Sequence, residues 1–299
     1  MQGYLHPFYA QSFSEIGEVI FLPKSKGWLI KRQIPGTTLF DAMGPYPLFF
    51  CENWEYLIED IFSLRDQIVS IILVIGPHQE LPKIKFKNFF DLFYEYKNHY
   101  IFDKSKPLAQ TISSGRRYDA MRALKDVNVD LKISPNIDLE EWCHLYSNLI
   151  ERYQITGIRA FSEKSFKNQL TIPNTYFFRV LFNGELIGGN IFYIQNHTAY
   201  WHLSACTEKG YQLHASYAAI WTAIKVFSKK IHRIDFGGTT NMKDNKFNGL
   251  AQFKSGWSNS TECSYFCGKI LNLQKYRQLI KEHDENKKWF PAYRSPDEF

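Results

Sequence analysis

Apolar positions cluster over residues 18–22 and again over 27–34, with a Lys-rich PKSKG turn between them. Both stretches predict short strands. Residues 35–50 (PGTTLFDAMGPYPLFF) have no period and carry Pro35, Gly36, Gly44, Pro45 and Pro47. That is the composition of a loop that lines a site. The spacing then becomes that of an amphipathic helix over 53–64, with Leu57, Ile61 and Leu64 on one face. The run IVSIILVIG, 68–76, predicts a buried strand. A short helix over 88–96 and a strand over 98–102 follow. TISSGRRYDAMRALK, 111–125, predicts a helix entered through Ser113 or Ser114 that turns Tyr118, Met121 and Leu124 towards the core. Residues 127–133 (VNVDLKI) alternate as a strand.

The second half is more regular. Strong helical periodicity covers 139–153, with a further helix over 162–170. Strands over 175–182, 186–194 and 198–206 form a meander, turning at Asn183-Gly184 and at Asn196-His197. A long helix, 215–228, and a strand, 231–236, lead to IDFGGTTNMKDNKFNGLAQFKSGW. In that stretch a strand ends on Gly237-Gly238 and a polar loop follows. A short helix entered through Asn248 and Gly249 then carries Phe253 and Lys254 and stops at Gly256. A strand over 262–271 and a helix over 274–283 complete an α/β (α+β) pattern.

Composition narrows this picture. The 299 residues are 44% hydrophobic and 17% aromatic, enough for a substantial core in one large domain or two ordinary ones. The net charge of +6 is spread out, and no dense Lys/Arg block suggests DNA as a partner. Five cysteines without CxxC or Cys/His metal spacing read as reduced thiols of a cytoplasmic protein with no metal. The N-terminal residues lack the pattern of a signal peptide, and the apolar run at 68–76 is too short to span a membrane.

Taken in order, five motifs resemble the GNAT superfamily of acyltransferases. They are the GRRYDAMRALK helix before a short strand, the NGELIGGNIFY hairpin, the TAYWHLSAC strand running into a helix, the IDFGG strand end and the FNGLAQFKSGW segment. Within the superfamily they resemble the two-domain branch of Fem-type peptidoglycan peptidyltransferases and their acyl-CoA-dependent relatives. The resemblance covers about 111–271. It implies tandem GNAT-like domains, 1–125 and 126–299, each a mixed, mostly antiparallel sheet flanked by helices, with a cleft between them. In Fem-type enzymes a lysine following a phenylalanine stabilises the charge developing during acyl transfer, and Phe253–Lys254 matches. Ordinary GNAT enzymes hold the coenzyme A pyrophosphate on backbone N–H groups of a Gly-rich loop. Here the corresponding TEKGYQLHA has one glycine, Gly210. The resemblance places the cofactor beside Ser204, Thr207, Gly210, His214 and Asn241. It also puts Arg159 on a connector that contacts a substrate diphosphate. No tyrosine lies between Gly237 and Trp257 to protonate a leaving thiolate.

Acylating an amine requires a deprotonated amine, a donor for the tetrahedral oxyanion and a positioned leaving group. Lys254 suits the second need. Alternation in YWHLSAC puts Tyr200, His202 and Ser204 on one face and Trp201, Leu203 and Ala205 on the other. His202 is then the natural general base, or else a buried structural histidine. Asp235 reads as the anchor of the glycine turn. Asp41, Tyr46 and Phe253 are expected to contact the acceptor. No cysteine or serine sits in a nucleophile motif, so a ternary complex is expected in place of an acyl-enzyme.

These features predict an N-acyltransferase that moves an acyl group from acyl-CoA to the amine of a nucleotide-linked amino sugar in surface polysaccharide biosynthesis. The lack of a heptad run or charge-dense arm favours that small donor over aminoacyl-tRNA. An aminoacyl-tRNA-dependent Fem-type peptidyltransferase is the alternative in the same superfamily. A non-catalytic carbohydrate- or nucleotide-binding protein on a GNAT scaffold is the alternative outside enzymology.

Overall fold

A computed structural model describes residues 1–107, 112–239, 249–281 and 289–294. Its strands are β1 (Glu18–Leu22), β2 (Gly27–Gln33), β3 (Phe40–Met43), β4 (Ser70–Ile75), β5 (Leu92–Asp103), β6 (Asn128–Ile133), β7 (Thr175–Phe182), β8 (Glu185–Gln195), β9 (Thr198–Cys206), β10 (Arg233–Gly238) and β11 (Ser260–Ile270). The α-helices are α1 (Pro7–Gln11), α2 (Leu57–Ser63), α3 (Lys83–Phe89), α4 (Ser114–Asp126), α5 (Leu139–Tyr153), α6 (Glu163–Leu170), α7 (Glu208–Gln212), α8 (Ala215–Phe227), α9 (Gly249–Ser255) and α10 (Leu273–Lys281). All the strands join one sheet in the order β1-β2-β3-β4-β11-β5-β10-β9-β8-β7-β6. The β3–β4 and β9–β10 pairs are parallel and the other neighbours antiparallel. The mixed, mostly antiparallel sheet flanked by helices is therefore present.

Local chemistry accounts for most of these elements. Asn183 and Gly184 both have positive φ, as a tight hairpin between right-twisted strands requires. Ser113, Asp138 and Ser162 cap α4, α5 and α6 by accepting the N–H three residues on. The meander strands are covered on one face by α4 and α8. Their other face packs on α5, α6 and the aromatic N-terminal residues Tyr4, Tyr9 and Phe13.

Three expectations change. Residues 92–96 are part of the twelve-residue β5 and not of a helix. They pair with Tyr265–Gly268 of β11, and that ladder outweighs a weak local helical signal. A strand, β3, lies within the Pro/Gly-rich stretch. Helix α4 is rotated from its expected face: Tyr118 and Met121 are 68% and 55% exposed, while Ala120 and Ala123 are buried. The reason is α8, whose Ala215, Ala218, Ala219 and Ala223 share a core with them. Close helix packing there selects small residues over large ones. The loop 240–248, including Asn248, lies outside the described residues. No helix among the described residues is long and apolar enough to cross a membrane.

The strand order interleaves the segments 1–125 and 126–299. Strand β11, from the second, lies between β4 and β5 of the first. Tyr4, from the first, packs edge-on against Tyr193 and Tyr200 of the second. A buried ion cluster completes the weave. Asp41, 1% exposed, accepts Arg294 Nε at 2.5 Å and Arg294 Nη2 at 2.9 Å, and Arg32 Nε at 3.2 Å. This corrects the expectation that Asp41 contacts an acceptor. Its charge instead ties residues 289–294, which form part of the cleft wall, to β2 and β3.

Removing the acid from a buried cluster leaves uncompensated charge and costs about 3–5 kcal/mol. Asp41→Ala is expected to lower the unfolding free energy by about that amount in urea titrations. An unchanged midpoint together with a raised acceptor KM would return Asp41 to substrate contact.

Candidate active site

The site begins where two parallel strands part. Strands β9 and β10 are in register at Thr198–Arg233, Ala199–Ile234 and Tyr200–Asp235, and the pairing ends there. Beyond that point β10 bulges against β5 between Asp235 and Gly238. Strand β9 bulges too: Ile191 faces Leu203 and Phe192 faces Trp201, so His202 is the extra residue. The opening continues into a cleft of about 1900 Å³ walled by both halves, from Tyr46 and Val74 to Trp201, Asp235 and Lys254.

Lys254 reaches into this opening from α9. The neighbouring Phe253 packs against Tyr217 and Trp201, with ring centroids 5.2 and 6.0 Å away, and so orients the helix. Arg116 lies over the Tyr217 ring and donates to Tyr217 Oη and to the Gln252 carbonyl. Gly256 leaves room for it, since a Cβ there would sit 2.3 Å from Arg116 Nε and displace the guanidinium. The Lys254 side chain is 92% buried as a consequence of this packing, being 8% exposed. Its Nζ donates to the Gly238 carbonyl at 2.8 Å and lies 5.6 Å from the Trp201 ring centroid. Burial brings its pKa down to about 8; Asp235 opposes that fall and Lys97 adds to it.

Asp235 is fully buried and accepts the Gly237 N–H at 2.7 Å, the turn anchor read from the sequence. Gly237 has φ +76°, a conformation that favours glycine. Asp235 has a second partner that the sequence did not reveal. His99 Nδ1 lies 2.9 Å from both carboxylate oxygens. Burial alone would raise the Asp235 pKa, but His99 and the Gly237 N–H outweigh it and hold the carboxyl below its ordinary value. No local motif marks His99; only the β5–β10 pairing brings it to the cleft.

His202 lines the cleft, but its environment does not suit a base. Tyr4 Oη lies 3.2 Å from Nδ1, and Gln169 Oε1 lies 3.0 Å from Nε2. The ring stacks on Tyr193 at 4.5 Å. Burial lowers its pKa to about 3, so it is neutral at physiological pH, with both nitrogens engaged. The bulge also breaks the expected alternation. Leu203 and Ala205 join Tyr200 in one core, while Trp201 belongs to the opposite one and bonds Asn190 Oδ1.

The remaining expected residues divide. Tyr46, Arg159, Ser204, Gly210, His214 and Phe253 line the cleft. Burial raises the Tyr46 pKa, and the charge of Arg159, which lines the same cleft, works against that rise. Thr207 lies outside the cleft: its Oγ1 donates to the Ile187 carbonyl and accepts the Gly210 N–H, capping α7. Asn241 lies outside the described residues.

Residues 207–214 do not fit a pyrophosphate cradle. A Cβ on Gly210 would lie 2.0 Å from the Ile187 carbonyl oxygen, so the glycine serves packing against β8. The N–H groups of Thr207, Gly210, Tyr211, Leu213 and His214 already have partners within the chain. Those five donors are thus taken up by β8 and by α7 with its flanking residues.

No protein-family model matches the chain, and no curated protein matches it at significance. Solved structures do. FemX superposes with a TM-score of 0.66 at 14% identity over 91% of this chain and 92% of that one. L-PGS from Bacillus licheniformis gives 0.64 at 9% identity over 94% and 95%. The C-terminal domain of a candidate lysylphosphatidylglycerol synthetase from Agrobacterium fabrum gives 0.64 at 9% identity over 91% of each. These likenesses show the fold: the chain has the Fem-type, GNAT-like architecture.

Glutamine at position 202 retains an acceptor for Tyr4 and a donor for Gln169. His202→Gln is therefore expected to keep the fold and to change stability by about 1 kcal/mol, the scale of one hydrogen bond. A loss of rate with stability intact would restore His202 as the base.

Proposed function

We propose that this chain is an aminoacyltransferase that passes an amino acid from an ester-activated donor, aminoacyl-tRNA, to an acceptor amine. The observation that carries this reading is Lys254, a buried cation at the mouth of the β9–β10 opening, in a chain that shares its fold with FemX along nearly its whole length. The names of the other neighbours point the same way, towards lysyl transfer. The acyl-CoA reading, with a nucleotide-linked amino sugar as acceptor, has less support because residues 207–214 are filled by α7.

In the proposed reaction the acceptor nitrogen adds to the ester carbonyl and the carbonyl oxygen becomes an oxyanion. The Lys254 ammonium faces that charge from a pocket walled by Trp201 and Phe253, where low polarity strengthens the attraction. The exposed Arg159 and Tyr46 suit an anionic part of the acceptor in the same cleft. Collapse of the oxyanion forms the amide and releases the tRNA hydroxyl.

The test is transfer of labelled amino acids from charged tRNA, run beside labelled acyl-CoAs, with UDP-linked peptidoglycan precursors and UDP-amino sugars as acceptors. Labelled amide from tRNA alone supports the proposal; product from acyl-CoA alone, or from neither, overturns it. Lys254→Met is expected to lower kcat by about 10²–10³-fold. Its melting temperature should equal or exceed that of the parent, because a desolvated charge is removed. A lysine with lowered pKa loses its charge as pH rises, so wild-type kcat should fall above pH of about 8.

A further inference from the structure

The strongest unassigned feature is the His99–Asp235 pair. It joins β5 to β10 on the cleft side of the sheet, with both side chains buried except where they line the cleft. Asp235 holds His99 through Nδ1 with both oxygens at 2.9 Å, and its own position is set by the Gly237 N–H. A carboxylate on Nδ1 selects the tautomer with hydrogen on Nδ1, which leaves a lone pair on Nε2. Among the described residues no group is hydrogen-bonded to Nε2. His202 differs on each count, since both of its nitrogens are engaged.

Lys254 and His99 flank one residue. The Gly238 carbonyl accepts Lys254 Nζ at 2.8 Å, and a Cβ on Gly238 would lie 3.2 Å from His99 Cδ2. One glycine therefore separates a cation suited to an oxyanion from an imidazole with a bare nitrogen.

We propose that His99 is the general base of the transfer, with Asp235 as its positioning residue. The inference rests on the function proposed above and assigns the proton path of that reaction. The acceptor nitrogen forms a C–N bond to the carbonyl carbon, and His99 Nε2 takes a proton from that nitrogen. The ester C–O bond then breaks, and the proton passes from Nε2 to the leaving oxygen, so no net proton remains on the enzyme. Such assistance contributes about 10²–10⁴-fold.

Two measurements test the assignment. Long-range ¹⁵N correlation spectra of the folded wild type should show the neutral His99 ring protonated at Nδ1 and bare at Nε2. Asp235→Asn keeps an oxygen for the Gly237 N–H but can present an amide to Nδ1, so the tautomer should reverse and kcat should fall with the fold retained. His99→Gln should lose about 10²–10³-fold in kcat near neutral pH. Its deficit should shrink as pH rises past about 8, where a free amine deprotonates without help. The charged or titratable groups around His99 are Asp235 and Arg233 on β10, Glu262 opposite it on β11, Lys97 on its own strand, His78 after β4 and Lys254 on α9. Lys254 is the parallel control, since its loss above pH about 8 opposes the rescue, and the comparison is the ratio of His99→Gln to wild type at each pH.

Wild-type tautomer reversed from that expected, or His99→Gln at the wild-type rate while Lys254→Met is inactive, overturns the base and leaves the transferase reading standing. A folded wild type that transfers nothing from any donor overturns both. The expected tautomer with a pH-dependent loss in His99→Gln establishes the base.

Discussion

A carboxylate buried where two strands part governs this site. Asp235 is the last residue of β10 that still pairs with β9, and its side chain faces an interior that would strongly disfavour an unpaired charge. Each of its partners is consequently fixed. The Gly237 N–H turns towards it and sets the positive φ that begins the glycine turn. His99 turns Nδ1 towards it. The Lys254 ammonium, desolvated in the same region, keeps its charge at neutral pH partly because Asp235 opposes the effect of burial. Fold, turn and charges are thus one electrostatic arrangement.

That arrangement depends on a sheet no single half of the chain can build. His99 lies on β5, between β10 and β11, so the segment before residue 125 supplies a strand to the centre of the second half's site. Strand β11 returns the exchange by separating β4 from β5. Residues 289–294 then close one wall of the cleft, held by Arg294 on the buried Asp41. The cluster at Asp41 is far along the sheet from Lys254 and His99, yet it shapes one wall of the cleft between them.

How much of this was legible depends on the range of the interactions. The meander, the Asn183-Gly184 turn, the Ser113 cap and the Phe253–Lys254 segment follow from local periodicity and local hydrogen bonding, and they stand in the structure where the pattern placed them. What escaped were features set by partners distant in sequence. His99 gains meaning only from a carboxylate 136 residues away. The face of α4 is chosen by the alanines of α8, and no periodicity within α4 could reveal that. His202 occupies a bulge, and a bulge reverses the inward and outward order that strict alternation assumes. Asp41 looked like a polar group in a loop because Arg294, its strongest partner, lies 253 residues later.

Glycine positions carry the last step. In a phosphate cradle the missing Cβ faces the ligand; at Gly210 it faces the Ile187 carbonyl 2.0 Å away, so that backbone is closed by its own fold. At Gly237 the only atom of the described residues within 4 Å of the Cβ position, chain neighbours aside, is Lys254 Nζ, at 3.3 Å. The Cβ side of Gly237 therefore faces Lys254, whereas that of Gly210 is closed by β8. A reacting carbonyl over Gly237 would meet the ammonium on one side and, across Gly238, the imidazole of His99. Lys254 and His99 are thus gathered at the parted strand ends, while the backbone around Gly210 packs on β8.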